Sequence, residues 1–357
     1  MDHHLRRRAL GARLDDLGVD ALLVTRLVNV RYLTGFTGSN AQALVTPDTD
    51  VFLTDGRYTE QSRREAPDIE RATYEPTYRD ELPGRVAAAG ISRLGFEAEE
   101  LTVADHGKLA AVMDGVELVP VTGAVEALRA VKDDEERELI RRAQAITDAA
   151  FEAVLDRLAV GVSEQQLARD LERLMRGEGA DGLSFESIVA FGENAAEPHH
   201  EPSHRLLEEF DVVKLDFGAL VQGYHADMTR TIAFGSAPTE LRKIHDVVRE
   251  SQQAGIDAVR AGVRGSEVDA ACRVVIEAAG YGERFVHGTG HGVGLEIHEA
   301  PWLGKAFDNE LPAGAVVTVE PGIYVPGLGG VRIEDMVEVA EDGGRVVGEA
   351  TRELLEL

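Results

Sequence analysis

The chain has a single cysteine, Cys272, so it forms no internal disulfide. Cys272 lies in SEVDAACRVVIEAAG, a helical pattern, and reads as a buried structural thiol rather than a nucleophile. No apolar run is long enough to span a bilayer. The first residues, MDHHLRRRALGARLDDLG, lack the apolar stretch and cleavage site of a secretory signal. They read as a charged amphipathic helix, and a cytoplasmic location is expected. Positive charge is scarce, with 37 Lys and Arg against 64 Asp and Glu and a net charge of −27. That balance argues against a basic nucleic-acid-binding face and favours solubility. Three motif classes are also missing. The DFG at Asp216 has neither a glycine-rich nucleotide loop nor an HRD partner, which excludes a kinase. Gly288, Gly290, Gly292 and Gly294 do not form GxGxxG between a strand and a helix, which excludes dinucleotide binding. His298-Glu299 is not part of HExxH, so the zincin pattern is absent.

What the chain does have is four carboxylates and an imidazole in short motifs: Asp216 in KLDFG, Asp227 in HADMTR, His291 in HGTGHGVGLEIHE, Glu320 in EPG and Glu334 in GGVRIED. This is a hard, oxygen-rich ligand set, suited to two divalent ions rather than one. Two ions about 3.5–4 Å apart activate water and clamp both ends of a hydrolysis. The spacing allows convergence. Asp216 and Asp227 flank a turn signal at Val221-Gln222-Gly223, and their flanks VVKLDF and HADMTRTIAF read as strands. In such a hairpin the two aspartates are opposite or diagonal, about 5–8 Å apart on one face. Glu320 and Glu334 are placed equally far on either side of Gly327, inside Pro326–Gly330. In the second flank Val331, Ile333, Val337 and Val339 alternate with Arg332, Glu334, Met336 and Glu338, so Arg332 and Glu334 share a face. A lone acid on a strand is usually solvated. Two mirrored pairs in apolar strands are better explained by a metal, because an unpaired buried charge is costly.

Residues 1–128 alternate strand and helix signals and read as an α/β domain without a phosphate loop. Strands are expected at ALLVT, AQALVT, DVFLTD and RLGFE, and helices over residues 3–17, 58–66 and 103–113. Residues 129–357 form the second domain, opened by a long amphipathic helix from Asp133 to about Leu158. The acidic run Asp133–Glu136 suits a helix start. Two segments resemble each other: GVSEQQLARDLERLMRGEGA from Gly161 and GVRGSEVDAACRVVIEAAGYG from Gly262. Each reads as Gly-Val, a serine N-cap, an amphipathic helix and a glycine. Ser163 and Gln166 match a capping box. The pattern fits an internal duplication with the metal site between its halves, or two separately capped helices that converged on the same pattern.

In their order, these motifs resemble the pita-bread metallopeptidases, in particular short bacterial Xaa-Pro peptidases of the aminopeptidase P and prolidase branch. NVRYLTGFTGSN and VFLTDGRYTEQ resemble the creatinase-type N-terminal domain, and VEALRAVKDDEE the interdomain junction. FGENAAEPHHEPSHR, KLDFG, HADMTRT, HGTGHGVGLEIHEAP, VVTVEPGIY and GGVRIED resemble the catalytic domain. The resemblance implies a creatinase-like α/β domain followed by an α+β pita-bread domain with pseudo-twofold duplication. It implies two divalent ions, manganese ahead of cobalt or zinc, on Asp216, Asp227, His291, Glu320 and Glu334. It implies that His199, His287 and His298 orient the substrate and support developing charge, that Glu320 shuttles a proton, and that Arg332 holds substrate or neighbouring groups. His200 is expected in solvent or in a supporting position. Proline-containing peptides are the implied substrates and a homodimer the implied assembly, with no nucleic acid or membrane partner. Where the family has a glycine in the turn ahead of KLDFG, this chain has Phe210. Methionine aminopeptidase shares much of the site pattern, but the creatinase-like domain and GGVRIED favour Xaa-Pro cleavage. A non-catalytic peptide-binding relative would show gaps among the five ligands, and this chain has none.

Overall fold

The computed structural model describes every residue, Met1–Leu357, and the chain forms two compact units, Met1–Arg129 and Ala130–Leu357. No helix is long and apolar enough to cross a membrane. The first unit runs α1 (His3–Gly11), β1 (Ala21–Val24), α2 (Leu27–Thr34), β2 (Ala41–Val45), β3 (Asp50–Asp55), α3 (Thr59–Glu65), β4 (Glu70–Tyr74), α4 (Tyr78–Ala88), β5 (Arg93–Glu97), α5 (Val103–Ala110), β6 (Glu117–Val121) and α6 (Glu126–Arg129). Its six strands make one mixed sheet, ordered β4-β3-β2-β1-β5-β6. Both faces of β1 and β2 are buried, so their apolar runs show no alternation. The four expected strands are present, and β4, β6, α2, α4 and α6 are additional. Helix α4 contains Pro83, which hides its pattern; Thr77 and Asp80 cap its start reciprocally. Residues 12–17 form turns rather than extending α1.

The second unit is built from two similar halves. The first comprises α7 (Asp134–Leu155), α8 (Glu164–Gly177), β7 (Gly182–Leu183), β8 (Ile188–Phe191), β9 (Val212–Phe217), β10 (Ala219–Val221), β11 (Tyr224–His225) and β12 (Met228–Ala233). The second comprises α9 (Thr239–Ala258), α10 (Gly265–Ala278), β13 (Gly290–Gly292), β14 (Glu299–Leu303), β15 (Val316–Val319), β16 (Gly322–Val325), β17 (Gly329–Arg332), β18 (Asp335–Ala340) and β19 (Gly343–Val347). The same local join recurs in each. Gly161 and Leu207 bond across the start of α8, as Gly262 and Leu311 do ahead of α10. Helix α7 starts on the acidic run, with Asp133 and Glu136 forming a reciprocal capping box at 2.9 Å each way. The helix stops at Leu155, short of Leu158. Ser163 caps α8 as expected, but Gln166 bonds Asp170 instead of closing the box. The second serine is not a cap at all. Ser266 lies inside α10 and bonds Asp308, while Glu267 accepts from the Arg264 backbone.

Phe210 has φ 71 and is 58% exposed. A left-handed conformation costs a non-glycine residue about 1–2 kcal/mol, and glycine returns about 0.5–1 of that to unfolded-state entropy. Phe210→Gly is therefore expected to stabilise the protein by about 0.5–1 kcal/mol. The check is a higher urea midpoint at unchanged denaturant slope.

Candidate metal centre and active site

Two interrupted hairpins carry the acids. In the first, β9 pairs with β12 and β10 with β11 in one continuous register, and Gln222 and Gly223 turn the chain with φ 47 and 81. Asp216 faces Thr229, which puts Asp227 on the diagonal. The ladder breaks at Gly218, where a Cβ would lie 1.8 Å from the Ala226 carbonyl oxygen. That close approach lets the strand tip cross into a separate sheet with β7. In the second, Val319 pairs with Asp335 and Gly322 with Arg332, so Glu320 falls opposite Glu334 in the gap between two ladders. The single strand expected through Val331–Val339 is thus two strands, broken where Glu334 must turn inward. His291 comes from β13, which packs beside β15. Gly290 permits this, since a Cβ there would meet the Thr318 carbonyl at 2.0 Å.

Asp227, His291 and Glu334 are buried and present ligand atoms within 4.8 Å of one another. Glu320 approaches His291 Nε2 at 3.3 Å, and Asp227 approaches it at 3.7 Å. Asp216 is held by Arg332 through one oxygen. Burial, then the charges of neighbouring carboxylates, pushes Asp227 and Glu334 well above their usual pKa range. Burial also raises Asp216, against the pull of Arg332. Burial opposes ionisation of Glu320 too, but its hydrogen bond to His291 and the charge there bring it down to about 2.

These residues fit a divalent centre. Asp216 Oδ1 and Glu334 Oε1 are buried and have no hydrogen-bond partner. His291 Nδ1 lies 3.1 Å from the Gly292 carbonyl and keeps its proton there, so Nε2, which faces Glu320 and Asp227, is the nitrogen that would give up its proton to bind a metal. Thr229 Oγ1 donates to Glu334 at 2.6 Å, and Thr318 Oγ1 donates to Glu320 at 3.1 Å. Both threonines escaped the sequence reading, although each lies two residues from an acid on the same strand face, Asp227 and Glu320 respectively.

The acids and His291 line a cavity of about 300 Å³, with His199, His287, His298 and Arg332 on its wall and Phe185, Ile188, Trp302 and Phe307 adding an apolar side. His199, His287, His298 and Arg332 differ in freedom. His199 and His298 are exposed to the cavity. His298 sits edge-on to His291, with ring centroids 4.3 Å apart. Its neighbour Glu299 is buried 2.8 Å from Lys132. His287 is occupied: Nδ1 lies 2.8 Å from the Gly288 carbonyl and Nε2 lies 2.8 Å from Tyr324 Oη. Burial raises Tyr324 to about 12, so its phenol keeps its proton and donates to His287. Arg332 is also occupied, donating to Thr229, Pro198, Tyr324 and Asp216. Tyr324, in the EPGIY motif, was not singled out in the sequence. Cys272 is buried and pushed up to about 12, as expected of a structural thiol.

Residues 138–341 match metallopeptidase family M24, and residues 6–131 match the creatinase/prolidase N-terminal domain. The chain belongs to family M24. Membership implies a divalent metal, and it identifies the two units as a creatinase-type α/β domain and a pita-bread catalytic domain. A solved structure described as an Xaa-Pro dipeptidase from Bacillus anthracis is 41% identical, with a TM-score of 0.97 and 100% of both chains covered. An X-Pro aminopeptidase from Thermotoga maritima is 34% identical, with a TM-score of 0.90 over 97% of this chain and 100% of that one. The Xaa-Pro dipeptidase of Pyrococcus furiosus is 40% identical over 239 residues, 67% of this chain and 69% of the relative. This M24 chain thus has full-length counterparts on both the dipeptidase and the aminopeptidase side.

Proposed function

We propose that this M24 peptidase hydrolyses the bond between an N-terminal residue and a following proline. The observation that carries the reading is the convergence of Asp216, Asp227, His291, Glu320 and Glu334 in one cavity with two unengaged histidines on its wall. The five residues are assigned to hold two divalent ions, and their oxygen-rich donor set favours manganese. Bound there, the ions supply Lewis-acid activation of the scissile carbonyl and of the attacking water. Glu320 accepts the water's proton and delivers it to the leaving proline nitrogen. His199 and His298 donate hydrogen bonds to the carbonyl oxygen as charge develops on it. His287 and Arg332, with their hydrogen bonds already committed, orient Tyr324 and Asp216. Proline is selected by shape, because its nitrogen carries no hydrogen and its ring fixes the backbone. Relatives of both branches support Xaa-Pro substrates, and a homodimer belongs to the same reading.

Manganese-loaded enzyme is expected to cleave Xaa-Pro dipeptides or Xaa-Pro tripeptides at least about tenfold faster than Met-Ala peptides, the scale of one pocket contact. Ready cleavage of Met-Ala with Xaa-Pro ignored replaces this reading by that of a methionine aminopeptidase.

A further inference from the structure

His199 and His200 are neighbours that face opposite ways. His199 is exposed at the cavity, whereas His200 is 8% exposed and clamped. Its Nε2 lies 2.9 Å from Glu164 Oε2 and its Nδ1 lies 2.7 Å from Glu197 Oε2. The supporting position expected for His200 is therefore a structural anchor. Glu164 is the first residue of α8 and is fully buried. Its carboxylate gathers five donors. Oε1 accepts from the Phe191 backbone at 2.7 Å and from Asn194 Nδ2 at 2.9 Å. Oε2 accepts from His200, from the Ser203 backbone at 2.9 Å and from Ser203 Oγ at 2.5 Å. One buried carboxylate thus ties both ends of the loop that carries His199. The middle of the loop is held from beneath, where Lys214 Nζ donates to the carbonyls of Ala195, Glu197 and Pro198.

The other half of the domain uses a comparable device. Asp269 on α10 accepts from the backbone and hydroxyl of Thr289, at 3.1 and 2.9 Å. Its ion-pair partner Arg273 donates to the carbonyls of Phe285 and His287. In each half, a buried carboxylate on the second helix secures the segment bearing a cavity histidine.

We propose that Glu164 is a positioning residue for catalysis, and that its charge-assisted clasp on His200 and Ser203 sets the direction in which His199 faces the scissile carbonyl. The proposal rests on the assignment of His199 made above. A carboxylate suits this clasp because it accepts at both oxygens and donates nothing. An amide in its place turns an NH₂ group toward donors at one end of the loop, which releases that end. A misplacement of about 1 Å costs up to roughly 100-fold in rate.

The test is a double-mutant cycle on manganese-loaded enzyme with an Xaa-Pro substrate, using Glu164→Gln, His199→Ala and the double variant, with metal content measured for each. Glu164→Gln is expected to lower kcat about 10- to 100-fold with KM and metal content unchanged. In the His199→Ala background the same change is expected to cost less than about twofold, since nothing remains to be positioned. An equal loss in both backgrounds indicates general loosening and overturns the proposal. So does a Glu164→Gln enzyme with undiminished kcat while His199→Ala is slow. If His199→Ala alone retains full turnover, the assignment of His199 fails and the positioning role falls with it. Ser203→Ala, which removes one donor of the clasp, serves if Glu164→Gln does not fold. Its loss, about tenfold for a single hydrogen bond to a carboxylate, must likewise vanish in the His199→Ala background.

Discussion

Asp227→Asn is expected to reduce Xaa-Pro hydrolysis by roughly 10³-fold or more, because metal activation is worth several kcal/mol and each 1.36 kcal/mol is tenfold in rate. Asp227 is buried among Asp216, Glu320 and Glu334, and those charges work against its own ionisation. The same substitution should therefore act in opposite directions on activity and on the metal-free fold. Asparagine escapes both the burial penalty and the repulsion that oppose this carboxyl in the folded state, so the metal-free variant should melt at higher temperature than metal-free wild type. The shift is about 2–4 °C for each kcal/mol of repulsion removed in a domain of this size. Elemental analysis after manganese reconstitution should approach two ions per chain for wild type and fall below that for Asp227→Asn. Robust turnover by the variant, or a melting temperature that drops in the metal-free state, counts against the centre.

His199→Ala and His298→Ala should each lower kcat by roughly 10²–10³-fold, the loss seen on removing one donor to a developing oxyanion. Both variants should keep the wild-type metal content, since neither side chain belongs to the ligand cluster of Asp227, His291 and Glu334. His287→Ala is the informative contrast. Its ring nitrogens are already engaged by Gly288 and Tyr324, so its loss should act through Tyr324 and Arg332 and be smaller. Single-turnover kinetics beside metal analysis separates the cases. A His298→Ala enzyme that loses metal in step with activity would reassign that residue to the centre.

The two acid pairs were legible because a hairpin imposes a simple rule: residues equally distant from the turn face each other. Glu320 and Glu334 obey it directly, and Asp216 and Asp227 obey it one step off, on the diagonal. The breaks at Gly218 and at Ile333-Glu334 were not legible. A ladder break depends on which other backbone comes close, here the Ala226 carbonyl against Gly218. The caps were half legible. Ser163 and Asp133 cap by local geometry, whereas Ser266 is drawn away by Asp308, 42 residues along the chain.

The sequence by itself determined the four carboxylates and one imidazole, the pairing of the acids across two turns and the order of two domains. Each follows from local periodicity, turn chemistry and motif order along the chain. Tertiary structure alone decided which histidines are free to act. His199 and His298 remain unengaged, while His287 is taken by Tyr324 and His200 by Glu164 and Glu197. An imidazole's availability depends on what its two nitrogens meet, and one partner of each ring lies far along the chain, 36 residues for His200 with Glu164 and 37 for His287 with Tyr324. No spacing rule reaches that far, because such contacts are set by how helices and sheets pack.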